Sequence, residues 1–413
     1  MDDNTSNLKG PLEGMVVLDL SRILAGPFAT QMLGDFGADV IKVERPNQGD
    51  DTRQWGPPYS FSQDGKHQQS AYFQSANRNK KSITIDLKNP RGVALIKELV
   101  KRADVLVENY KVGDLSQYGL GYEELAKLNP KLVFCSISGF GQSGPYAANP
   151  GYDFIIQAMG GLMSITGSAA EGDTPQPTKT GVAVADLFTG LYAANAVLAA
   201  VLHAQRTGEG QHIDLALLDC QMAMLANQGL NHLVSGATPR PMGNAHPNIV
   251  PYETLSTKDG TIAVAVGNDS QFRTFCKALG VAAIEQNPQY KTNALRVENR
   301  EDLIKKINAT TRKLSSEALL ELLTHARVPC GAVRTIDEVF ADPHVEARQM
   351  IVEQTSAEGL TQRTIGNPVK FSKTSVTYRK PPPQLGIDTH EILERVLNLS
   401  ADEIHKLVKD RVI

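Results

Sequence analysis

Between Met15 and Ile137, short apolar and β-branched runs alternate with stretches whose apolar residues recur at helical spacing. That alternation constrains the fold more than any other feature of the chain. Met15 to Leu20 (MVVLDL) reads as a strand. Pro27 to Phe36 reads as a helix, with Pro27 at its first position and Phe28, Met32 and Phe36 on one face. Asp39 to Val43 is a strand, and Ser82 to Asp86 another. Asn89-Pro90 opens a helix carrying Val93, Ile96, Leu99 and Val100. Asp104 to Val107 is again a strand, Tyr122 to Leu128 a short helix, and Leu132 to Ile137 a strand. Strands separated by helices imply crossover connections and a mostly parallel sheet covered by helices. The expected class is α/β, with a large Rossmann-like domain. Ligands of such sheets bind beyond the carboxyl ends of the strands. The segments that follow the strands therefore carry most weight: SRILAGP, ERPNQGDDTR, ENYKVG and SGFGQSGP.

With 413 residues, the chain has room for two or three compact units. Beyond a helix starting near Leu217, the pattern changes. Lys258-Asp259-Gly260 separates two extended runs within Tyr252 to Val266, a hairpin signal, and helical patterns follow at Gln271 to Leu279, Glu301 to Ala309 and Ser316 to Ala326. The expected division is a large domain over 1–225, a smaller α+β domain over 226–329, and a segment 330–413 returning to the large domain. The tail, with Pro381-Pro382-Pro383 and a last helix from His390, is too short to fold alone.

A net charge of −3 with mixed signs leaves no basic footprint for nucleic acid. The nine histidines and four cysteines form no cluster with metal-ligand spacing, so no metal is expected. Cys135, Cys220, Cys276 and Cys330 are widely separated, as in a reduced, cytoplasmic protein. The N-terminus MDDNTSNLKGPLEG has neither signal-peptide nor transit-peptide character. The apolar run Leu187 to Leu202 falls short of the ~20 residues needed to span a bilayer, which reads as a buried core helix and no membrane partner.

Phosphate-binding glycine motifs and the G-x-S-x-G elbow are absent. What stands out is Asp186, placed between a β-like run (Val182, Val184) and a long helix of small and apolar residues, with no other acid before Glu209. An ionised carboxylate at a helix start either caps the helix or attacks an electrophilic carbonyl. Two positive spots accompany it: Lys42 with Arg45 after the second strand, and Asn77-Arg78-Asn79-Lys80-Lys81 before the strand at Ser82. They are either ordinary surface charge or a seat for a phosphorylated ligand.

The succession LDLSRILAGPFATQMLGDFGADVIKVERP, NRNKKSITIDLK, ADVLVENY, GLGYEEL, NPKLVFCSISGFGQSGP, GYDFIIQAMGGLMSITG and TGEGQHIDLALLD resembles the class III coenzyme A transferases. The likeness runs from about Leu12 to PPPQLG near the C-terminus. DDTRQWGPP, GNAHPNIVPYETL and YKTNALRVENREDLIK look closest to the branch that moves CoA from succinyl-CoA to glutarate. The resemblance implies an interlocked homodimer with no permanently bound cofactor, CoA and its thioesters being substrates. It places the catalytic aspartate at Asp186 in VADLFTG, passing through aspartyl anhydride and aspartyl-CoA thioester intermediates. It also puts Leu24 and Ala25 by the CoA loop, Arg45 on a nucleotide phosphate, Asn77 and Lys80 at the adenine and phosphate edge, and Asn109 and Tyr110 along the pantetheine. Gln117 and Leu24 depart from formyl-CoA transferase, which has arginine and glutamine there. Gly160-Gly161 and the loop 243–247 are candidates for a lid.

Two other functions compete. An α-methylacyl-CoA racemase needs a base where this chain has Tyr152 in Gly151-Tyr152-Asp153, and a phenol is a poor proton acceptor near neutral pH. A non-catalytic CoA-binding protein would need the positive spots but not Asp186. For a dicarboxylate acceptor, the substrate residues are Arg22 or Arg53 for the distal carboxylate, with Tyr152 and His246 (beside Asn244) nearby. Plain alternatives are that the arginines pair with Asp19, Asp50 or Asp51 and that His246-Pro247 shapes a turn.

Overall fold

The structure is a computed structural model describing residues 10–168 and 176–413. It divides into two compact units, one formed by Met1–Gly160, Gly181–Met224 and Pro343–Ile413, the other by Gly161–Thr180 and Leu225–Asp342. The second unit thus takes in a stretch that sequence patterning assigned to the large domain. It also runs past position 329, because Cys330–Ala332 is a strand of its own sheet.

The first unit is built on six parallel strands: β1 (Val16–Asp19), β2 (Asp39–Glu44), β3 (Lys80–Thr84), β4 (Val105–Glu108), β5 (Val133–Ser138) and β6 (His212–Ala216). Their spatial order is β3-β2-β1-β4-β5-β6. That is the doubly wound order, in which the connections reverse direction between β1 and β4. Strands β1 and β4 pair in parallel from Val17 with Val105 to Asp19 with Val107, so the loops after them diverge from neighbouring ends and leave a crevice. β6 had no reading as a strand, since His212 and Asp214 interrupt its apolar pattern.

Both faces of the sheet are covered. On one, Leu18, Ile41, Ile83, Leu106 and Phe134 pack with α2 (Pro90–Val100), α3 (Tyr122–Leu128) and C-terminal residues such as Ile392 and Leu407. Asn89 caps α2 by accepting the Arg91 N–H, with Pro90 in the first turn, as the Asn-Pro pair implied. On the other face, Val17, Val105, Val133 and Cys135 pack with α1 (Ala25–Asp35) and the long α5 (Val184–Thr207), which follows α4 (Asp153–Met159). At 24 residues, α5 exceeds the apolar run read from the sequence and is long and apolar enough to cross a bilayer by length and composition. Its Ala193, Ala194, Val197, Ala200 and Val201 are nonetheless buried against the sheet and α1, which makes it a core helix. The expected β-like run before it does not form, as Val184 already begins the helix. A further helix, α6 (Leu217–Met224), follows β6 directly.

The second unit has a three-stranded antiparallel sheet of β7 (Tyr252–Ser256), β8 (Thr261–Ala265) and β9 (Cys330–Ala332). The β7–β8 pairing is the hairpin that Lys258-Asp259-Gly260 announced. Helices Asp269–Ala278, Arg300–Thr311 and Ser316–His325 supply its core with Phe272, Phe275, Leu303, Ile307 and Leu319. In the C-terminal segment, Ile351–Thr355 and Thr361–Ile365 form a two-stranded ribbon without a counterpart in the sequence reading.

Candidate functional site

A cavity of about 150 Å³ opens where β1 and β4 diverge. Arg22, Leu24 and Ala25 line it from the loop after β1, Asn109, Tyr110 and Lys111 from the loop after β4, Tyr152 from the approach to α4, and Asp186 from α5. Seven of the sequence candidates, Arg22, Leu24, Ala25, Asn109, Tyr110, Tyr152 and Asp186, therefore meet in one place.

Two bonds fix the loops. Arg22 donates its N–H to Asn109 Oδ1 at 2.9 Å and accepts from Asn109 Nδ2 at 2.7 Å, tying the β1 and β4 loops together. Next to it, Ile23 has φ of +71°, a costly conformation for a β-branched residue. Its N–H donates to Asp50 Oδ1 at 3.2 Å. This kink turns the chain from β1 into the start of α1, whose first N–H groups have no intrahelical acceptor. Nothing in the sequence flagged Ile23.

Whether Asp186 is a cap is settled by Asp153. The Ala185 N–H donates to Asp153 Oδ1 at 2.8 Å, so a carboxylate from α4 caps α5 and no side chain of α5 itself does. Asp186, in the first turn, accepts no hydrogen bond among the described residues. Burial, and then the neighbouring Asp153 charge, push its carboxyl up to about 7. Tyr72 is close enough that burial and the Asp186, Asp153 and Asp50 charges raise its phenol to about 12. Tyr72 did not stand out in the sequence, and Asp153 entered only as the last residue of Gly151-Tyr152-Asp153, in the comparison with racemases.

Beneath the loops after β1, β2 and β3 lies a buried charge network. Lys80 Nζ reaches Asp19 at 3.0 Å, Asn77 Oδ1 at 2.9 Å and the Pro27 carbonyl at 2.9 Å. Lys42 Nζ reaches Asp50 at 3.0 Å and the Ser21 carbonyl at 2.8 Å. Burial alone would raise the Asp19 carboxyl, but Lys80, Lys42 and the Ser21 and Thr30 hydroxyls hold it down at about 2. This corrects three expectations. Asn77, Lys80 and Lys42 are fully buried and consumed by protein partners, so they brace the loops from below and present nothing to a ligand.

Arg53 is corrected likewise. Its guanidinium makes two bonds to Glu44, at 2.8 and 2.7 Å, donates to the Pro383 carbonyl and lies 3.8 Å from the Phe73 ring centre. Only 8% of its side chain is exposed, so it anchors the C-terminal segment and does not clamp an acceptor. Arg45, by contrast, is half exposed and bonded to Asp51 at 2.9 Å. It lines a smaller cavity of about 70 Å³ together with Arg22, Tyr110 and Gly49. His246 belongs to the second unit. There its Nδ1 accepts the Asn248 N–H at 3.1 Å, its ring tilts against Tyr252, and Arg300 donates to its carbonyl at 2.7 Å.

At the end of β4, Glu108 accepts the Tyr110 N–H at 2.7 Å, and burial pushes its carboxyl up to about 7. No group of three or more His, Cys, Asp or Glu side chains among the described residues is arranged to hold a metal ion. None of the four cysteines is in a disulfide.

A doubly wound sheet with an uncommitted carboxylate and flanking arginines at its switch point fits acyl transfer on a phosphorylated thioester, and sequence comparison agrees. The chain belongs to CoA-transferase family III, which matches residues 12–389. It is thus a class III CoA-transferase, an enzyme whose substrates are a CoA thioester and a carboxylic acid. It is 51% identical to a succinate–glutarate CoA-transferase of Agrobacterium fabrum, over 94% of this chain and 96% of that one. It is 44% identical to a succinyl-CoA:glutarate CoA-transferase of Mus musculus, over 98% and 90% of the two chains. Among solved structures, a CAIB/BAIF family protein from Brucella suis superposes with a TM-score of 0.81 at 45% identity, covering 93% of this chain and 98% of that one.

Proposed function

We propose that the enzyme moves CoA from succinyl-CoA to glutarate or a related dicarboxylate, with Asp186 as nucleophile. The observation that carries this reading is that Asp186 is released from capping by Asp153 and left with an unbonded carboxyl in the cavity at the switch point. The activities for which these relatives are named support the choice of donor and acceptor.

Ionised Asp186 attacks the thioester carbonyl, forming an aspartyl–succinyl anhydride and expelling CoA thiolate. The thiolate attacks the aspartyl carbonyl, releasing succinate and leaving an aspartyl-CoA thioester. The acceptor carboxylate attacks that thioester, giving a second anhydride and thiolate again. Attack of thiolate on the acceptor acyl carbon then forms the product and regenerates Asp186. Division into these steps carries the CoA on the enzyme carboxylate, so the acceptor need not meet the donor thioester directly. The free N–H groups at the start of α1, beside Leu24 and Ala25, are suited to receive negative charge developing on each carbonyl oxygen. The pantetheine runs along Asn109 and Tyr110, and Arg45 takes a phosphate with Arg22 beside it; both arginines bond the one Asp51 carboxylate, which keeps Arg22 too close to Arg45 to clamp the distal carboxylate of the acyl group. Elevation of the Asp186 carboxyl makes its anion more nucleophilic while leaving a substantial ionised share at neutral pH.

The working form is proposed to be an interlocked homodimer. In the first unit Tyr152, Phe154, Ile155, Met159, Leu191 and Tyr192 are all substantially exposed, an apolar surface that a second copy would cover. Light scattering that finds a stable monomer would remove this part of the reading.

The deciding experiment is a panel of donors and acceptors followed by chromatography of the CoA esters. Succinyl-CoA with glutarate or another C4–C6 dicarboxylate should outrun monocarboxylates of equal length. Equal or faster transfer to acetate or formate would overturn the dicarboxylate assignment. Hydroxylamine added with succinyl-CoA should mark Asp186, and a label at any other carboxylate would overturn its role.

A further inference from the structure

Asp51 holds one arginine on each oxygen, and both arginines line a cavity. Arg22 Nη1 is 2.8 Å from Oδ2, and Arg45 Nη2 is 2.9 Å from Oδ1. We propose that Asp51 is a specificity-determining residue, an internal carboxylate that occupies both arginines until a multiply charged ligand displaces it. This rests on the reading of Arg22 and Arg45 as ligand-binding cations given above.

The three backbones involved are fixed, so only side chains have freedom to exchange partners. Asp51 begins a short 3-10 turn whose cap, Asp50, accepts the Thr52 N–H at 3.0 Å and is itself pinned by buried Lys42. Two residues on, Arg53 is locked to Glu44. Arg22 is held by Asn109 on both its N–H and its carbonyl. The side chains of Arg22, Asp51 and Arg45, in contrast, are 41%, 37% and 47% exposed.

Charge bookkeeping explains why this trio is the exchangeable one. Lys42 is spent on Asp50 and Arg53 on Glu44, both out of reach of solvent ions. Among the described residues, Arg22 and Arg45 are neutralised by a single shared carboxylate at the surface. Exposed ion pairs contribute little to stability, whereas a phosphate offers a larger charge and paired oxygens to a guanidinium. Arg22 lines the cavity that holds Asp186 as well as the smaller one that holds Arg45. An anionic ligand extending between the two cavities therefore meets both arginines and competes with Asp51 for each. A singly charged anion gains one contact and must break into a filled bridge to make it. Displacing Asp51 breaks the same bridge whatever the ligand, so Asp51 sets a threshold that ligands with several negative charges along their length clear and singly charged ones do not.

The test is calorimetric titration of CoA, and separately of inorganic pyrophosphate and of acetate, into wild type, Asp51→Asn, Asp51→Ser and Asp51→Glu. Removing the charge should tighten CoA binding roughly three- to thirtyfold at low ionic strength, the sum of two exposed pairs. The gain should shrink as salt is added. Pyrophosphate and acetate should gain by about the same factor as CoA, since each must displace the same bridge, and acetate binding should thereby become measurable; Asp51→Glu should behave as wild type. In an Arg22→Ala/Arg45→Ala background the Asn substitution should change nothing. Unchanged or weaker CoA binding by both Asp51→Asn and Asp51→Ser, with wild-type melting temperatures, would overturn the proposal. Wild type that binds CoA yet transfers nothing would instead break the catalytic reading and leave the Asp51 comparison intact. Wild type that fails to bind CoA would overturn both.

Discussion

On the side of the cavity built by β1, β2 and β3, the buried charges are paired: Asp19 with Lys80, Lys42 with Asp50, Glu44 with Arg53. On the α5 side, Asp186 has no hydrogen-bonding partner among the described residues and has a second carboxylate, Asp153, for a neighbour. The first arrangement drives carboxyls down and holds loops still, since a buried charge stripped of its partner is costly. The second drives a carboxyl up and leaves it reactive. Scaffold and proposed nucleophile are thus built from the same residue types, and hydrogen-bond satisfaction separates them.

The comparison breaks most visibly at Asp186. Asp186→Asn or Asp186→Ala should lower transfer by at least about 10⁴-fold, because the covalent route is lost altogether. CoA binding should persist, since the paired side is untouched. Turnover near wild type in either variant, measured by CoA-ester chromatography, would dissolve the contrast.

On the paired side the loss should appear as stability. Lys80→Met leaves Asp19 buried without its cation and should cost about 3–5 kcal/mol in denaturant unfolding. A loss below about 1 kcal/mol, the range of exposed pairs, would mean that the network is not what steadies the loops.

Arg45 lies between these extremes. Arg45→Ala should weaken every CoA donor alike by about 1.5–3 kcal/mol, as expected for a charge-assisted bond. The acceptor KM should move little. An effect confined to the acceptor would place Arg45 in the acyl part of the site.

The smallest effects concern pH. Attack requires the Asp186 anion, so kcat/KM should climb as pH rises through about 7. Glu108 titrates in the same range, and Glu108→Gln keeps an acceptor for Tyr110; the limb should survive that change. Its disappearance would reassign the limb to Glu108. For stability, the folded carboxyl of Asp186 lies at about 7 and its ordinary value is 3.8, so the folded state holds the extra proton between them. Stability is therefore lost as pH rises across that window. Asp186→Asn should accordingly melt higher than wild type at pH 8 by a few degrees, about the shift that 1 kcal/mol produces. The gap should close as pH falls toward 4, and a gap that widens on acidification would refute the elevated carboxyl.

Local patterning made much of the frame legible. The runs at Val16–Asp19, Asp39–Glu44 and Val133–Ser138 are apolar enough to be strands buried on both faces, and Asn89-Pro90 marks a helix start. His212–Ala216 was not legible, because a strand at the sheet edge tolerates polar residues that erase the signal. In the site, strand-end position brought forward Arg22 and the segment ENYKVG, within which the family resemblance singled out Asn109 and Tyr110. It failed for Lys80, Asn77 and Arg53, since a charge-rich segment looks the same in sequence whether it faces solvent or a buried counter-charge.

By itself the sequence determined the alternation that demands a parallel sheet, the strand-end loops where a ligand must bind, and the family to which Asp186 and its motif belong. Tertiary structure decided which charges are available. Lys80 is spent because Asp19, sixty-one positions away, meets it in the core; Asp186 is free because Asp153, on another helix, caps α5 in its place. Pairing of charges depends on distance in space and on exclusion of water, and neither is encoded in the spacing of residues along the chain.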